Sequence, residues 1–248
     1  MLKEIVITAQ SWGEAHRFII QHKLWRWVLI PGLIYAILFI TGMYFFVQSA
    51  TSVLEYITHI LGLSDWIQQL QSSFLGFLFT LSGLMFWLTL LLFYFSFFKY
   101  ICLIIGSPLF AMLSRKTESI IEGHEQENPS WKNIKSESAR GILTALRNCG
   151  WQTFYLVALL FLSLIPIIGW IMPLVVLLME CYYYGFSMLD YGFARNGYTR
   201  PQAIHFIGQH KGLATGNGIL FYLLHVVIVV APAYAIVAGT LTVHKVKK

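Results

Sequence analysis

Two basic side chains near the start of the first long apolar segment could bind an anion. Lys23 and Arg26 lie at the N-terminal end of a predicted membrane-spanning helix that begins at Trp27. The N-terminus of a helix presents unpaired N–H groups and the positive end of the helix dipole. These donors, together with one or two cations, would suit a tetrahedral dianion. The same two charges are also typical anchors at a membrane interface, and the residues by themselves favour that interpretation over an anion site.

Two carboxylates border the third apolar segment and are candidates for a structural or gating role. Glu180 and Asp190 enclose a segment that is rich in tyrosine. A carboxylate close to a membrane domain is costly and is therefore a functional candidate. For Asp190 we favour a simpler interpretation, an ion pair with Arg195 or Arg200 at the interface. Glu180 stays open between a functional and a structural role.

The sequence motifs of enzymes and metal centres are missing. The eight histidines show no HExxH or other ligand spacing, and the chain has neither a GxSxG nor a GxxxxGK[ST] motif. The chain has three cysteines, Cys102, Cys149 and Cys181. Their spacing is not that of metal ligands, and their odd number does not indicate a set of disulfides. We therefore expect a protein that is not an enzyme and that uses no metal and no cofactor.

The composition indicates an integral membrane protein. Of the 248 residues, 57% are hydrophobic and only 11% are charged, whereas a water-soluble globule needs a more charged surface. The charge-free stretches at 27–54, 66–98, 148–179 and 212–244 each hold an apolar core of about 20 residues or more, the length that spans a bilayer. The cations behind the net charge of +6 flank these stretches, so nucleic acid is not an expected partner.

Proline interrupts the last two apolar stretches and leaves two topologies open. Pro166 and Gly169 lie in the middle of the third stretch and Pro232 in the middle of the fourth, and proline inside a helix is costly. Each stretch is either one kinked span or two half-length helices that turn back, each reaching only about 18 Å. Turning back keeps all 17 Lys and Arg residues on the inside, whereas kinked spans place three of them outside.

Two smaller patterns predict how helices pack. In residues 1–22 an apolar face at helical spacing predicts an amphipathic helix, either lying on the membrane or packed on the rest of the domain; its members are Leu2, Ile5, Ala9, Trp12, His16 and Ile19. Gly208, Gly212 and Gly216 recur at every fourth position. On one helix they would form a smooth ridge for close packing, while the alternative is a flexible approach to the last stretch.

Several stretches, taken together and in chain order, resemble the CysZ sulfate permease family. Residues 22–31 resemble the beginning of that family's first span, where a Gly-Leu-Arg-type motif precedes a V-[LI]-[LI]-P run. Gly106-Ser107-Pro108, followed by Glu118 and Gly123, is similar to its small-small-Pro … Glu … Gly segment. Residues 165–169 resemble its IPxIG turn, and Asp190-Tyr191 resembles the Asp-Tyr after its hairpin. The chain departs from the family at two positions, since Lys23 replaces the glycine and Trp25 the first arginine.

The resemblance implies an all-α integral membrane protein with two full transmembrane helices, two half-inserted re-entrant hairpins and amphipathic interfacial helices. With the charge pattern it predicts a single domain over 1–248: an interfacial helix over 1–22, spans over 27–47 and 74–98 around an external loop over 48–73, cytoplasmic helices over 99–150, hairpins over 151–190 and 212–244, and a cytoplasmic connection over 191–211. Both termini are expected in the cytoplasm, and the protein in the inner membrane.

The resemblance also implies a function, the import of sulfate or a related oxyanion for cysteine biosynthesis. Its anion-binding motif corresponds here to Lys23, Leu24, Trp25 and Arg26. The structural or gating candidates are Glu118, Pro166, Gly169, Glu180, Asp190 and Pro232. Because half-inserted hairpins do not form a complete path through the bilayer, we expect a homo-oligomer. The alternative is a non-transporting membrane scaffold of the same fold, which the altered motif at residues 23–26 motivates.

Overall fold

A computed structural model describes residues 1–60, 94–123, 131–163, 168–225, 227 and 229–247. Every regular element within these ranges is an α-helix, in agreement with the expected all-α class. The helices are α1 (Leu2–Gln21), α2 (Trp25–Ile60), α3 (Tyr94–Ile105), α4 (Ser107–Glu122), α5 (Trp131–Ser163), α6 (Ile168–Arg195), α7 (Arg200–Gln209), α8 (Lys211–Leu224) and α9 (Ala231–Lys247). Most of the predicted second span, residues 61–73 of the predicted loop, and Pro166 lie outside the described residues.

One helix of the described chain, Trp25–Ser49 within α2, is by itself apolar and long enough to cross a membrane. Helices α3 and α4 meet this criterion only as a pair, and they are bent by 66° at Gly106. The bend follows from Pro108, which is tolerated in the first turn of α4 but not inside a continuous helix. Gly106 is the N-cap residue of α4, and Ser107 is its first helical residue.

The chain forms two compact units, of which the smaller is Ile37–Lys99. Its described part is held together by aromatic packing. The Tyr94 ring lies 4.7 Å from that of Phe46 and 5.4 Å from that of Phe98 (centroid to centroid), and the Tyr94 hydroxyl donates to the Phe39 carbonyl. Helix α2 continues to Ile60, beyond the predicted end of the span at 47, since no proline or glycine interrupts residues 48–60.

The larger unit, Met1–Ala36 with Tyr100–Lys248, is built around α9. Every residue from Ala231 to Val243 is buried, as expected for a helix that is apolar on all sides. Pro232 is the second residue of α9. An N–H group at this position would have no partner inside the helix, so proline is tolerated there. The break predicted in the fourth stretch therefore lies between Leu224, the end of α8, and the start of α9.

Helices α5 and α6 are antiparallel neighbours, as the hairpin prediction requires. Asn148 of α5 donates to the Ser187 hydroxyl of α6. Gln152 lies one turn after Asn148 on α5, and it donates to Glu180, which lies two turns before Ser187 on α6. The two helices therefore run in opposite directions. Helix α5 runs without a break from Trp131 through the predicted boundary at 150, so a cytoplasmic segment and the first limb of the hairpin share one helix. Gly169 lies in the first turn of α6.

Helices α8 and α9 also turn back on each other. Asn217 of α8 donates to the carbonyl of Ala235 in α9. On one straight helix these residues would be about 27 Å apart, so their contact requires a reversal of the chain between them. The fourth apolar stretch is thus a second helical hairpin in its packing.

Helix α1 packs on α8 and α9 through a face that overlaps the predicted one only in part. Trp12 and Ile19 are buried as expected, but Leu2, Ala9 and His16 are exposed. The remaining buried positions are small residues, Thr8, Ser11 and Ala15. Helices α1 and α8 are in close contact, since a Cβ on Gly216 would lie only 3.3 Å from the Thr8 side chain. Small residues are favoured at these positions of α1 because larger side chains would not fit between the two helices.

The predicted glycine ridge is confirmed in part. Added Cβ atoms at Gly212 and Gly216 of α8 would meet the first turns of α1 within 2.5 and 3.2 Å. Gly208 belongs to α7 and has nothing within 4 Å of its Cβ position. The chain leaves helical geometry at His210, so the three glycines do not share one helix.

We predict that Gly32→Ala strongly destabilises the larger unit. A Cβ at Gly32 of α2 would lie 1.6 Å from the carbonyl oxygen of Val229, and a backbone atom cannot move away cheaply. The expected loss is about 1–3 kcal/mol of unfolding free energy, seen as a lower midpoint in thermal denaturation of the detergent-solubilised protein. Gly13→Ala is the matched control. Gly13 lies in α1 with open space around it, so alanine should stabilise by ~0.5–1 kcal/mol. Equal effects of the two variants would contradict this packing.

Candidate functional site

The corner between α1 and α2 is a Schellman turn. The Leu24 N–H donates to the carbonyl of Ile19 at 3.0 Å, and the Lys23 N–H donates to that of Ile20 at 3.2 Å. These two bonds are those that define the motif, and an apolar contact usually accompanies them. Leu24 and Ile19 are both fully buried in the same core cluster. The turn is therefore fixed by backbone bonds and by burial, and it sets the direction in which α2 begins.

Lys23 occupies the left-handed position of this turn. Its φ is 51°, and within the described ranges no other non-glycine residue has a positive φ. A side chain in this conformation costs ~1–2 kcal/mol, which is why glycine is usual at this place. The lysine that replaces the expected glycine therefore keeps a backbone conformation that glycine would favour.

The first turn of α2 lacks a side-chain cap. The Leu24 carbonyl accepts the N–H groups of Trp27 and Val28 at 2.9 and 3.2 Å, but the leucine side chain has no acceptor atom. The N–H groups of Trp25 and Arg26 have no acceptor among the residues that the structure describes. The side chains of Lys23, Trp25 and Arg26 are exposed. Of the four predicted residues, three thus face outward, and Leu24 anchors the turn.

A third cation, which sequence reasoning missed, lies beside this turn. The ammonium nitrogen of Lys116 in α4 lies 5.2 Å from the centroid of the Trp27 ring. This is within the range of a cation–π interaction. Lys116 is far from Trp27 in sequence, and no local pattern predicts that the two residues meet.

Glu118, on the same helix, contacts α9. It is buried, and its Oε1 lies 3.1 Å from Nδ1 of His244 in the last turn of α9. This contact joins α4 to the central helix of the larger unit. The prediction that Glu118 orients a helix or a cation stays a prediction, now with His244 as its contact.

The expected partner of Asp190 is wrong. Asp190 is buried and accepts hydrogen bonds from Arg140 Nη2 at 2.8 Å and from the Thr144 hydroxyl at 2.8 Å. Arg195 pairs instead with Glu137, and Arg200 donates to the Leu143 carbonyl. Neighbours on a helix surface are three or four residues apart, and Arg195 is five residues after Asp190, whereas Arg140 approaches Asp190 from the neighbouring helix.

A compact ionic cluster surrounds the end of α6. Glu137 of α5 pairs with both Arg195 and Arg115. Burial, and next the neighbouring charge of Arg115, lower the pKa of Arg195 to about 10. Arg195 is therefore still charged at neutral pH, and the cluster joins α4, α5 and α6 by charge as well as by packing.

Glu180 links both hairpins. Its Oε2 accepts from the Tyr222 hydroxyl of α8 at 2.7 Å, and its Oε1 accepts from Gln152 of α5 at 3.3 Å. Gln152 in turn accepts from the hydroxyl of Tyr100 in α3 at 2.6 Å. Four helices are thus joined through one half-buried carboxylate. No three His, Cys, Asp or Glu side chains in the described part of the chain are close enough to hold a metal ion.

A sequence model of the family described as "Sulfate transporter CysZ/Etoposide-induced protein 2.4" matches residues 11–235. The chain belongs to this family. The match includes the α1–α2 corner, α4, the hairpin of α5 and α6, the segment around Asp190, and α8 with the first turn of α9. The resemblance noted from the sequence is therefore confirmed. The family is one of transporters, which are membrane proteins, and not of enzymes. At this level the protein is a transporter-family member.

We predict that Lys23→Gly yields a more stable protein than Lys23→Ala. Both changes remove the charge, but only glycine relieves the positive φ at this position. The expected difference is about 1 kcal/mol in favour of glycine, measured as the thermal denaturation midpoints of the two variants in one detergent. If the two midpoints coincide, the left-handed turn does not form as described.

Proposed function

We propose that this protein is an inner-membrane permease for sulfate or a related tetrahedral oxyanion, and that it supports cysteine biosynthesis. The observation that carries the proposal is the uncapped first turn of α2, flanked by the exposed cations Lys23 and Arg26, in a chain of the CysZ family. Two free N–H groups and two cations offer the donors that a dianion needs. Charge-assisted hydrogen bonds of this kind are shorter and stronger than neutral ones.

The rigidity of the corner supports this role. The Schellman bonds and the buried Leu24 fix the direction of the free N–H groups before an anion arrives. A site that is already ordered loses little conformational entropy on binding. Lys23 keeps the turn in the glycine-like conformation, so the replacement of glycine adds a charge without changing the path of the backbone.

The hairpin of α5 and α6 is suited to partial insertion into the membrane. Trp151, Phe154 and Tyr155 of α5 stack beside Tyr183 of α6, one to two turns after Arg147. An aromatic belt next to a cation is typical of the membrane–water interface. From Trp151 to the end of α5 at Ser163 the helix extends about 18 Å, less than the roughly 30 Å hydrocarbon core.

The outer surface of this hairpin agrees with contact to lipid. Beyond the aromatic belt, Ile171 and Leu174 of α6 are 58% and 59% exposed. In this arrangement α2 crosses the membrane, the two hairpins enter and leave by the cytoplasmic face, and both termini are cytoplasmic. A half-inserted hairpin leaves the conduction path incomplete, so the permease is a homo-oligomer.

A non-transporting scaffold of the same fold is the second candidate. The observation in its favour is Trp25, which stands at a position where the family resemblance has an arginine and which adds no charge to the exposed turn. The scaffold would keep the helix packing but bind no anion. The two candidates differ in sulfate flux and in the effect of removing Arg26.

We predict that purified protein in proteoliposomes takes up labelled sulfate, and that Arg26→Met reduces this uptake at least about tenfold, as expected when a charge-assisted bond of ~1.5–3 kcal/mol is lost. Lys132→Met is the matched control, because Lys132 is an exposed lysine on α5, and it should transport like the unmodified protein. Absence of uptake by folded protein would reject the permease and favour the scaffold.

We predict that a cysteine at Gly208 is labelled from the cytoplasmic side only. Gly208 lies in α7, is exposed and has open space around it, so the added side chain should be tolerated and reachable. A membrane-impermeant maleimide should label it in inside-out vesicles but not in intact cells, in a background without the native cysteines. Asp65→Cys, in the loop expected to be external, should show the opposite pattern. Labelling of residue 208 in intact cells would contradict the two hairpins.

A further inference from the structure

We infer that Lys116 of α4 is a further anion-binding cation at the first turn of α2, and that Trp27 positions it there. This inference rests on the proposed oxyanion site and extends it by one residue from a different helix. The ligand class is the same, a small tetrahedral oxyanion with two negative charges.

The first step is the division of charges along α4. Arg115 pairs with Glu137 of α5, and Glu118 contacts His244 of α9. Lys116, between them in sequence, contacts an aromatic ring of α2 instead. No carboxylate within the described ranges pairs with it. The charges of its neighbours are thus used inside the protein, whereas that of Lys116 is not neutralised.

The second step is the position of that charge. Trp27 is in the first turn of α2, directly after the two residues whose N–H groups have no acceptor. Its half-buried ring holds the Lys116 ammonium at 5.2 Å from the ring centroid. The ring therefore fixes a cation from α4 against the helix end that also carries Arg26.

The third step is the chemistry of an aromatic holder. A carboxylate partner would cancel the positive charge of a lysine toward an incoming anion. The face of an indole attracts the ammonium through its quadrupole but has no net charge. The contact with Trp27 therefore holds Lys116 without placing a negative charge beside it. Lys116 adds its positive charge to that of Arg26 and to the free N–H groups. The positive charge at this turn is therefore greater than the sequence predicts.

The experiment measures sulfate affinity of the purified, detergent-solubilised protein by equilibrium dialysis with labelled sulfate. Lys116→Met keeps the length of the side chain and removes the charge, and it should raise the Kd about tenfold. Lys116→Arg keeps both the charge and the contact with the ring, and it should bind within about twofold of the unmodified protein. The control Lys135→Met, at an exposed lysine of α5, should not change the Kd.

Trp27→Leu gives an independent test of positioning, because it removes the ring that holds Lys116 but removes no cation. It should weaken sulfate binding about two- to fivefold, as expected when a cation–π contact is lost. If Lys116→Met does not fold, as judged by size-exclusion chromatography, the sulfate affinity of Trp27→Leu tests the inference instead. Unchanged affinity in the folded Lys116 and Trp27 variants overturns the inference.

The outcomes separate this inference from the proposed function. If Arg26→Met abolishes binding while Lys116→Met leaves the affinity unchanged, the oxyanion site stands and the role of Lys116 is wrong. If the unmodified, folded protein binds no sulfate, the proposed function fails and the inference fails with it. Rescue by Lys116→Arg, together with loss in Lys116→Met, supports a role of the charge rather than of packing.

Discussion

The turn between α1 and α2 is the constraint on which the candidate site depends. Two backbone hydrogen bonds and the buried pair Ile19 and Leu24 close the end of α1 and begin α2 at once. The same arrangement leaves the next two N–H groups of α2 without a cap. A helix end without partners inside the protein is usually satisfied by water or by a ligand. The turn therefore provides both the rigidity of the corner and the uncapped N–H groups on which the proposed anion site depends.

The polar side chains of the larger unit mainly hold helices together. Asp190 joins α6 to α5 through Arg140 and Thr144, Glu118 joins α4 to α9, and Glu180 joins four helices through tyrosine and glutamine. Removing one partner of a buried ion pair strongly destabilises the folded protein. We interpret these carboxylates as polar contacts that fix the relative positions of apolar helices, which van der Waals packing alone would allow to slide.

The hairpins give the large unit its arrangement around α9. Small residues let the helices approach closely, as at Gly212 and Gly216 against α1 and at Gly32 against the carbonyl of Val229. Close backbone contact of this kind is typical of helices in membranes, where apolar burial between helices adds little. The connection between α8 and α9 thus contacts α2 only a few residues beyond the proposed anion site.

The sequence by itself determined the element types, the family and the place of the first candidate cations. Apolar length, charge distribution and proline positions are local properties, and they predicted an all-helical chain with breaks near Pro166 and Pro232. The resemblance pointed to residues 23–26, which lie together in any helix that begins there. Helix ends were less accurate, because α2 and α5 continue through boundaries that charge and polarity suggested. No proline lies in residues 48–60 or 131–163, and Gly150 is tolerated inside the helix.

Only the tertiary structure decided which distant residues meet. It paired Asp190 with Arg140 rather than with Arg195 or Arg200, and it brought Lys116 over Trp27. It also showed that α1 buries Thr8 and Ala15 rather than Leu2 and Ala9. Such contacts depend on how helices cross and on which small residues allow close approach. Periodicity along one helix carries no information about the helix that lies opposite.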